Sequence, residues 1–182
     1  MNRLIALLML LLLSPLFVMV ALAIFLEDGA PVFFVQKRVG KNYSFFALYK
    51  FRTMKKDTPN VATHLLDNPK QYLLGLGGLL RKLSLDELPN LVNIVRGEMA
   101  FVGPRPALYN QEDLMALRLA AGVEKQMPGI TGWAQINGRD SISLEEKVAL
   151  EKYYLDNQSL ALDLKILWRT LFKVAGDTTV SH

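Results

Sequence analysis

Cysteine is absent from the 182-residue chain, and histidine occurs only twice. The first absence excludes disulfides, thiolate metal sites and a cysteine nucleophile, and it suits the reducing side of a membrane. The second leaves little material for imidazole chemistry, since His64 lies in a polar stretch and His182 is the last residue. Two phosphate-binding fingerprints are also missing. No GxxxxGK(S/T) run occurs, and the Gly75-Leu76-Gly77-Gly78 cluster lacks a third spaced glycine and a clear preceding strand. Neither a P-loop nor a Rossmann site is expected. There is no internal repeat and no low-complexity tract.

Apolar residues make up 51% of the chain, and the excess is concentrated in the first 26 positions. This length leaves room for one compact core and no second large one. A net charge of +4 suits anionic partners, whether lipid headgroups, phosphorylated substrates or nucleic acid.

Residues 4–26 carry no charge, and as one helix they would reach about 35 Å, enough for a hydrocarbon layer of roughly 30 Å. Ser14-Pro15 interrupts the run near its middle. Proline removes a backbone donor and clashes with the preceding turn, while the serine hydroxyl can bond back to a carbonyl one turn earlier. A bend there leaves two half-bilayer arms, so a kinked span and a re-entrant hairpin both fit. Arg3 precedes the run, and Lys37, Arg38, Lys41, Lys50, Arg52, Lys55 and Lys56 follow it, which places the bulk of the chain on the cytoplasmic side in either case. Ala21-Leu22-Ala23 resembles a signal-peptide cleavage site, but the length of the run and the basic cluster beyond it favour retention.

Downstream, β-branched and aromatic runs at 32–36 and 44–52 predict a β-hairpin turning through Val39-Gly40-Lys41-Asn42. Residues 57–71 read as a loop with one helical turn. Helices are expected over 85–95, with Ser84 and Glu87 at capping-box spacing and Gly97 as the stop, and over 111–121, ended by Gly122. Two more are expected over 143–155, with Ser143 and Glu146 as the box, and over 160–174. The last interleaves Leu164, Trp168 and Phe172 with Lys165, Arg169 and Lys173, the pattern of a helix lying in a headgroup plane or of an ordinary core helix.

The densest polar constellation runs from Arg81 through Asp86-Glu87 to Asn90. Acids in a first helical turn complement the helix dipole, and Glu87 can serve as a cap. Read as chemistry, a carboxylate at a helix N-terminus near Arg81 is held ionised, as a nucleophile must be, and the same dipole favours an incoming phosphate. Adjacent helical residues project about 100° apart, so one acid can attack while the other holds a metal or orients a second substrate. Cations come from Gln36-Lys37-Arg38-Val39-Gly40, from Lys50-Phe51-Arg52 and from Gly103-Pro104-Arg105-Pro106, where two prolines stiffen the backbone around one guanidinium. The stretch from Pro128 to Arg139 places turn-forming residues around Trp133, which suits close approach to a ligand and also suits a plain loop.

Five of these features, Ser14-Pro15, KFRTM at 50–54, RKLSLDELPNL at 81–91, GEMAFVGPRP at 97–106 and PGITGWAQINGR at 128–139, occur in the order found in a known family. The chain resembles the monotopic phosphoglycosyl transferases of bacterial sugar transferase type, and the likeness spans nearly all of it. The resemblance implies an α+β, mainly helical fold with a re-entrant N-terminal membrane helix over 1–28, broken at Ser14-Pro15, a small β-hairpin and interfacial amphipathic helices. Residues 29–182 would form a catalytic domain on the cytoplasmic face of the bacterial inner membrane. It implies that Asp86 attacks a UDP-sugar, expels UMP and passes a sugar 1-phosphate to polyprenyl phosphate, with Mg²⁺ held by Asp86 and Glu87. Arg81 and Arg105 align with phosphate-handling positions, Lys50 and Arg52 assist, and Gln135 and Arg139 complete the expected substrate site.

Asn2 stands where the family commonly carries an acid before the apolar helix, and Ala100 where serine is frequent. With no further membrane bundle before the apolar run, the small form of the family is expected, with a homodimer compatible with it. A competing reading is a non-catalytic membrane-anchored basic module. Cations interleaved with aromatics between Lys41 and Arg52 also resemble a nucleic-acid surface, but no nucleic-acid partner is expected.

Overall fold

The computed structural model of the chain describes residues 2–59, 68–138 and 142–176. Its first feature follows from Pro15. The apolar run divides into α1 (Asn2–Leu12) and α2 (Ser14–Asp28), bent by 63°. Ser14 Oγ donates to the Leu11 carbonyl at 2.8 Å, the back-bond that the sequence predicts. Among the described residues no single helix is long and apolar enough to cross a membrane, although the bent pair together carries such a run.

The predicted hairpin is present, extended at its first strand. β1 (Phe33–Val39) pairs antiparallel with β2 (Phe45–Phe51), Phe33 opposite Phe51 and Val39 opposite Phe45. Side chains alternate along β2, so it meets two different partners. Phe46 and Leu48 pack with Ala6 of α1, Met99, and Leu91 and Ile94 of α4 (Asn90–Arg96). Phe51 packs instead with Val20 and Ile24 of α2, Leu74, and Leu80 of α3 (Gly77–Lys82). The fully buried Asn93 locks α4 to the hairpin, donating to Ala47 O and Glu98 Oε2 at 2.7 Å each and accepting from the Tyr49 amide.

A second unit of structure lies beyond. β3 (Ala100–Val102) and β4 (Gly129–Thr131) form a parallel pair, with α5 (Glu112–Ala121) in the crossover between them. α6 (Trp133–Asn137), α7 (Leu144–Asp156) and α8 (Leu160–Gly176) follow. Gly122 ends α5 with φ 73°, and Ser143 and Glu146 make both bonds of the expected capping box at the start of α7. α8 buries Ile166 against Val102 and Tyr154 while Leu164, Trp168, Leu171 and Phe172 remain exposed.

The architecture is α+β and mainly helical, as expected, with one correction near its centre. The helix predicted over 85–95 is broken. Leu85–Glu87 form a single 3-10 turn, Pro89 caps the next helix, and α4 begins only at Asn90. Ser84 makes no side-chain cap bond because it lies in the left-handed region, φ 54°. Proline has no N–H to give to a continuous ladder, so the chain restarts its helix there. Gly97 stops α4 at φ 81°, as predicted.

Candidate active site

The turn carrying Asp86 and Glu87 is held between α3 and α4, and the left-handed Ser84 reverses the chain so that Asp86 points inward, only 7% exposed. A non-glycine residue in that region costs roughly 1 kcal/mol, a strain commonly found at functional sites. Lys50, near the end of β2, sits under the turn with Nζ 2.7 Å from Glu87 Oε1 and 3.9 Å from Asp86 Oδ2. Arg105 Nη1 reaches the same Glu87 oxygen at 3.6 Å. Arg81, on the last turn of α3, donates from Nε to Thr53 Oγ1 at 2.9 Å and contributes positive field at Asp86. Lys50, Arg81, Asp86, Glu87 and Arg105 are therefore brought together from three separate sequence motifs.

Asp86 departs from expectation in what sets its charge. The dipole of a long helix was expected to keep it ionised, but a 3-10 turn supplies little dipole. Burial instead raises its pKa from 3.8 to about 6, against the opposing pull of Lys50, with Glu87 adding to the rise and Arg81 opposing it. Near neutral pH the group is still largely ionised. Its Oδ1 is buried and accepts no hydrogen bond. A desolvated carboxylate with one oxygen unmatched, ringed by cations, is a good nucleophile toward phosphorus and a good ligand for a hard cation.

Arg52 goes elsewhere. Two residues apart on a strand would share a face, but β2 ends at Phe51, and Arg52 turns to the C-terminus of α2. There it pairs with the Asp28 carboxylate and donates to the Asp28 and Gly29 carbonyls at 3.2 and 2.7 Å. Gln135 is on α6, its amide against Gly132. Arg139 and His64 lie outside the described residues.

The two glycine-rich motifs prove to be a backbone interlock. A Cβ on Gly103 would come within 2.2 Å of Met127 O, and one on Gly129 within 2.1 Å of Gly103 N. This contact seats Arg105 just beyond β3. Sequence reasoning missed Arg118, which is 8% exposed, forms a two-bond ion pair with Glu151 of α7 at 2.8 and 2.5 Å, and donates to Arg105 O at 2.9 Å. The signal available was a cation on the otherwise apolar face of α5.

Among the described residues no group of three or more His, Cys, Asp or Glu side chains could hold a metal. Mg²⁺ needs no such cage, being bound commonly by one or two carboxylates with substrate phosphates and water. The unmatched Asp86 Oδ1 fits that donor set, with Glu87 next to it.

Against known proteins, residues 1–177 match the family described as bacterial sugar transferase. The chain is 48% identical over 149 residues to the uncharacterized sugar transferase EpsL of Bacillus subtilis, covering 82% of this chain and 72% of that one. It is 39% identical to the exopolysaccharide production protein ExoY of Sinorhizobium fredii, covering 92% and 80%. It is also 38% identical to the UDP-glucose:undecaprenyl-phosphate glucose-1-phosphate transferase of Escherichia coli, over 92% of this chain and 38% of that longer protein. With the cation-ringed acid pair where the sequence resemblance expects it, and the match extending from the broken helix to α8, the chain belongs to the bacterial sugar transferase family.

Proposed function

We propose that the protein transfers a sugar 1-phosphate from a UDP-sugar to polyprenyl phosphate, as undecaprenyl phosphate, releasing UMP, in the first membrane step of glycoconjugate assembly. The observation that carries this reading is the buried Asp86, with a partnerless oxygen, between Lys50 and Arg81. The substrate class comes from relatives such as the Escherichia coli UDP-glucose:undecaprenyl-phosphate glucose-1-phosphate transferase.

In the first step an Asp86 oxygen attacks the β-phosphorus. The bond from that phosphorus to the bridging oxygen breaks, and UMP leaves with the electron pair. In the second step a polyprenyl phosphate oxygen attacks the same phosphorus, expels the Asp86 carboxylate and leaves polyprenyl diphosphate-sugar. The acceptor's second phosphate pKa is about 6, so it is largely ionised and requires no histidine base. Arg81, Lys50 and Arg105 hold phosphate oxygens and offset their charge, and Lys50 keeps Asp86 charged despite its burial. Mg²⁺, held by Asp86 with Glu87, supplies further neutralisation of phosphate charge.

The bent α1–α2 pair, with Leu4, Leu8, Leu12, Met19 and Leu26 turned outward, supports a re-entrant membrane segment over 1–28. Residues 29–182 then lie on the cytoplasmic face of the inner membrane, with the exposed side of α8 in the headgroup layer. The test is UMP release from a panel of UDP-sugars by protein in lipid vesicles with polyprenyl phosphate and Mg²⁺. Turnover with at least one sugar is expected, together with a phosphosugar adduct on the peptide containing Asp86. Undiminished turnover in Asp86→Asn would remove the nucleophile, and no turnover with any sugar would favour a binding module.

A further inference from the structure

A pocket opens beside Glu87, between the hairpin, the first turn of α4 and the β3–β4 pair. Its polar wall consists of Arg38, Lys50, Glu87, Asn90 and Arg105, and the rest is apolar side chain and backbone. Lys50 also reaches Asp86, so a group held in the cavity lies next to the nucleophile.

Three properties define what the cavity would take. Three cations face one carboxylate, an excess of two positive charges. Among the described residues Arg38 makes no ion pair of its own: Nη1 donates to Pro106 O at 2.9 Å and Nη2 to Gln36 Oε1 at 2.6 Å, both neutral, while the buried Nε finds no acceptor there. Asn90 is 3% exposed, and its Oδ1 has no donor. Buried donors and acceptors are nearly always matched, and leaving one unmatched is costly. A ligand matching both would bring an oxyanion for the guanidinium and a hydroxyl for the amide oxygen. An ionised lipid phosphate supplies only the first.

We propose that this cavity binds a phosphorylated polyol, Arg38 taking a phosphate oxygen together with Lys50 and Arg105, and Asn90 Oδ1 accepting from a ring hydroxyl. Within the proposed reaction, on which this assignment rests, two groups have that chemistry: the transferred sugar phosphate and the ribose phosphate of UMP.

The experiment measures calorimetric binding of glucose 1-phosphate and of UMP to the full chain in nanodiscs, for the wild type, Arg38→Gln, Arg38→Lys and Asn90→Ala. KM for the UDP-sugar and for polyprenyl phosphate is measured in parallel. The wild type is expected to bind one of the two ligands, which identifies the source. Asn90→Ala should weaken that binding roughly tenfold and Arg38→Gln roughly ten- to hundredfold. KM for the UDP-sugar should rise in step while KM for polyprenyl phosphate stays constant. If Arg38→Gln melts early, Arg38→Lys keeps the charge without the Nε donor and should show a smaller loss of the same kind. Wild-type binding in Arg38→Lys and Asn90→Ala, binding of neither ligand by the wild type, or an equal rise in both KM values overturns the assignment. Failure of the proposed reaction itself would show separately, as absent UMP release by the wild type, and would leave the binding measurement intact.

Discussion

Lys50 Nζ lies 2.7 Å from Glu87 Oε1, so the lysine expected to meet substrate phosphate is already holding a carboxylate. Arg105 reaches the same oxygen. Glu87 therefore tethers two cations, and in the proposed reaction a substrate phosphate would take its place.

Because Lys50 is the strongest influence holding the Asp86 pKa down against burial, Lys50→Met should raise that pKa above its value of about 6. The acid limb of the kcat/KM profile should then move to higher pH. A profile of reduced height with an unmoved limb would show that Lys50 does not set the charge of Asp86.

The raised pKa also bears on stability. A group whose folded pKa lies above its unfolded value stabilises the fold below the unfolded value, and that benefit is lost as pH rises through the folded one. Ionised Asp86 therefore opposes folding above about pH 6, and at about 1.36 kcal/mol per pKa unit the rise from 3.8 to about 6 corresponds to roughly 3 kcal/mol. Without Mg²⁺, Asp86→Asn should melt higher than the wild type at pH 8, with the difference gone by pH 3. Identical melting at both values would contradict the burial argument.

Arg118→Met should leave Glu151 buried and unpaired, costing about 3–5 kcal/mol, and the double variant Arg118→Met/Glu151→Leu should recover much of the loss. Denaturant midpoints of the single and double variants give the answer. No recovery in the double variant would mean that the donation to Arg105 O, lost in both, matters more than charge balance.

Arg52→Lys should lower stability by about 2 kcal/mol, since an ammonium cannot fork to one carboxylate and two carbonyls. KM for the UDP-sugar should stay at the wild-type value in the folded fraction. A selective rise in KM would return Arg52 to the substrate site.

Replacing Ser14 and Pro15 together by leucine removes the back-bond and restores the missing donor. Cysteines placed at Asn2 and Lys41 should then be labelled from opposite sides by an impermeant reagent, whereas with Ser14-Pro15 intact they should be labelled from the same side. Same-side labelling in both would mean that the bend does not decide topology.

The elements most legible in the sequence were those with local signals. The capping box at Ser143, the stops at Gly97 and Gly122, and the bend at Ser14-Pro15 each rest on chemistry within one turn. The β3–β4 pair was not legible, because strands of three residues show no periodicity and their pairing spans the whole of α5. The spacing of Ser84 and Glu87 makes the Asp86 turn look like the start of a helix, and neither the left-handed Ser84 nor the pairing of Glu87 with Lys50 and Arg105 is visible in that spacing. Arg52 and Lys50 look equivalent in KFRTM, and the end of one strand separates their roles.

The packing of α1 and α2 against opposite faces of the hairpin leaves no detachable anchor. Cutting the chain after Gly29 would lay bare Leu91 and Ile94 on one side and Leu74 and Leu80 on the other, so the remainder should precipitate rather than work in solution. Harsh detergents that pull the bent pair out of place should silence the enzyme well before its helices unwind, because α2 packs against Leu85 and Leu88 on either side of the acid pair.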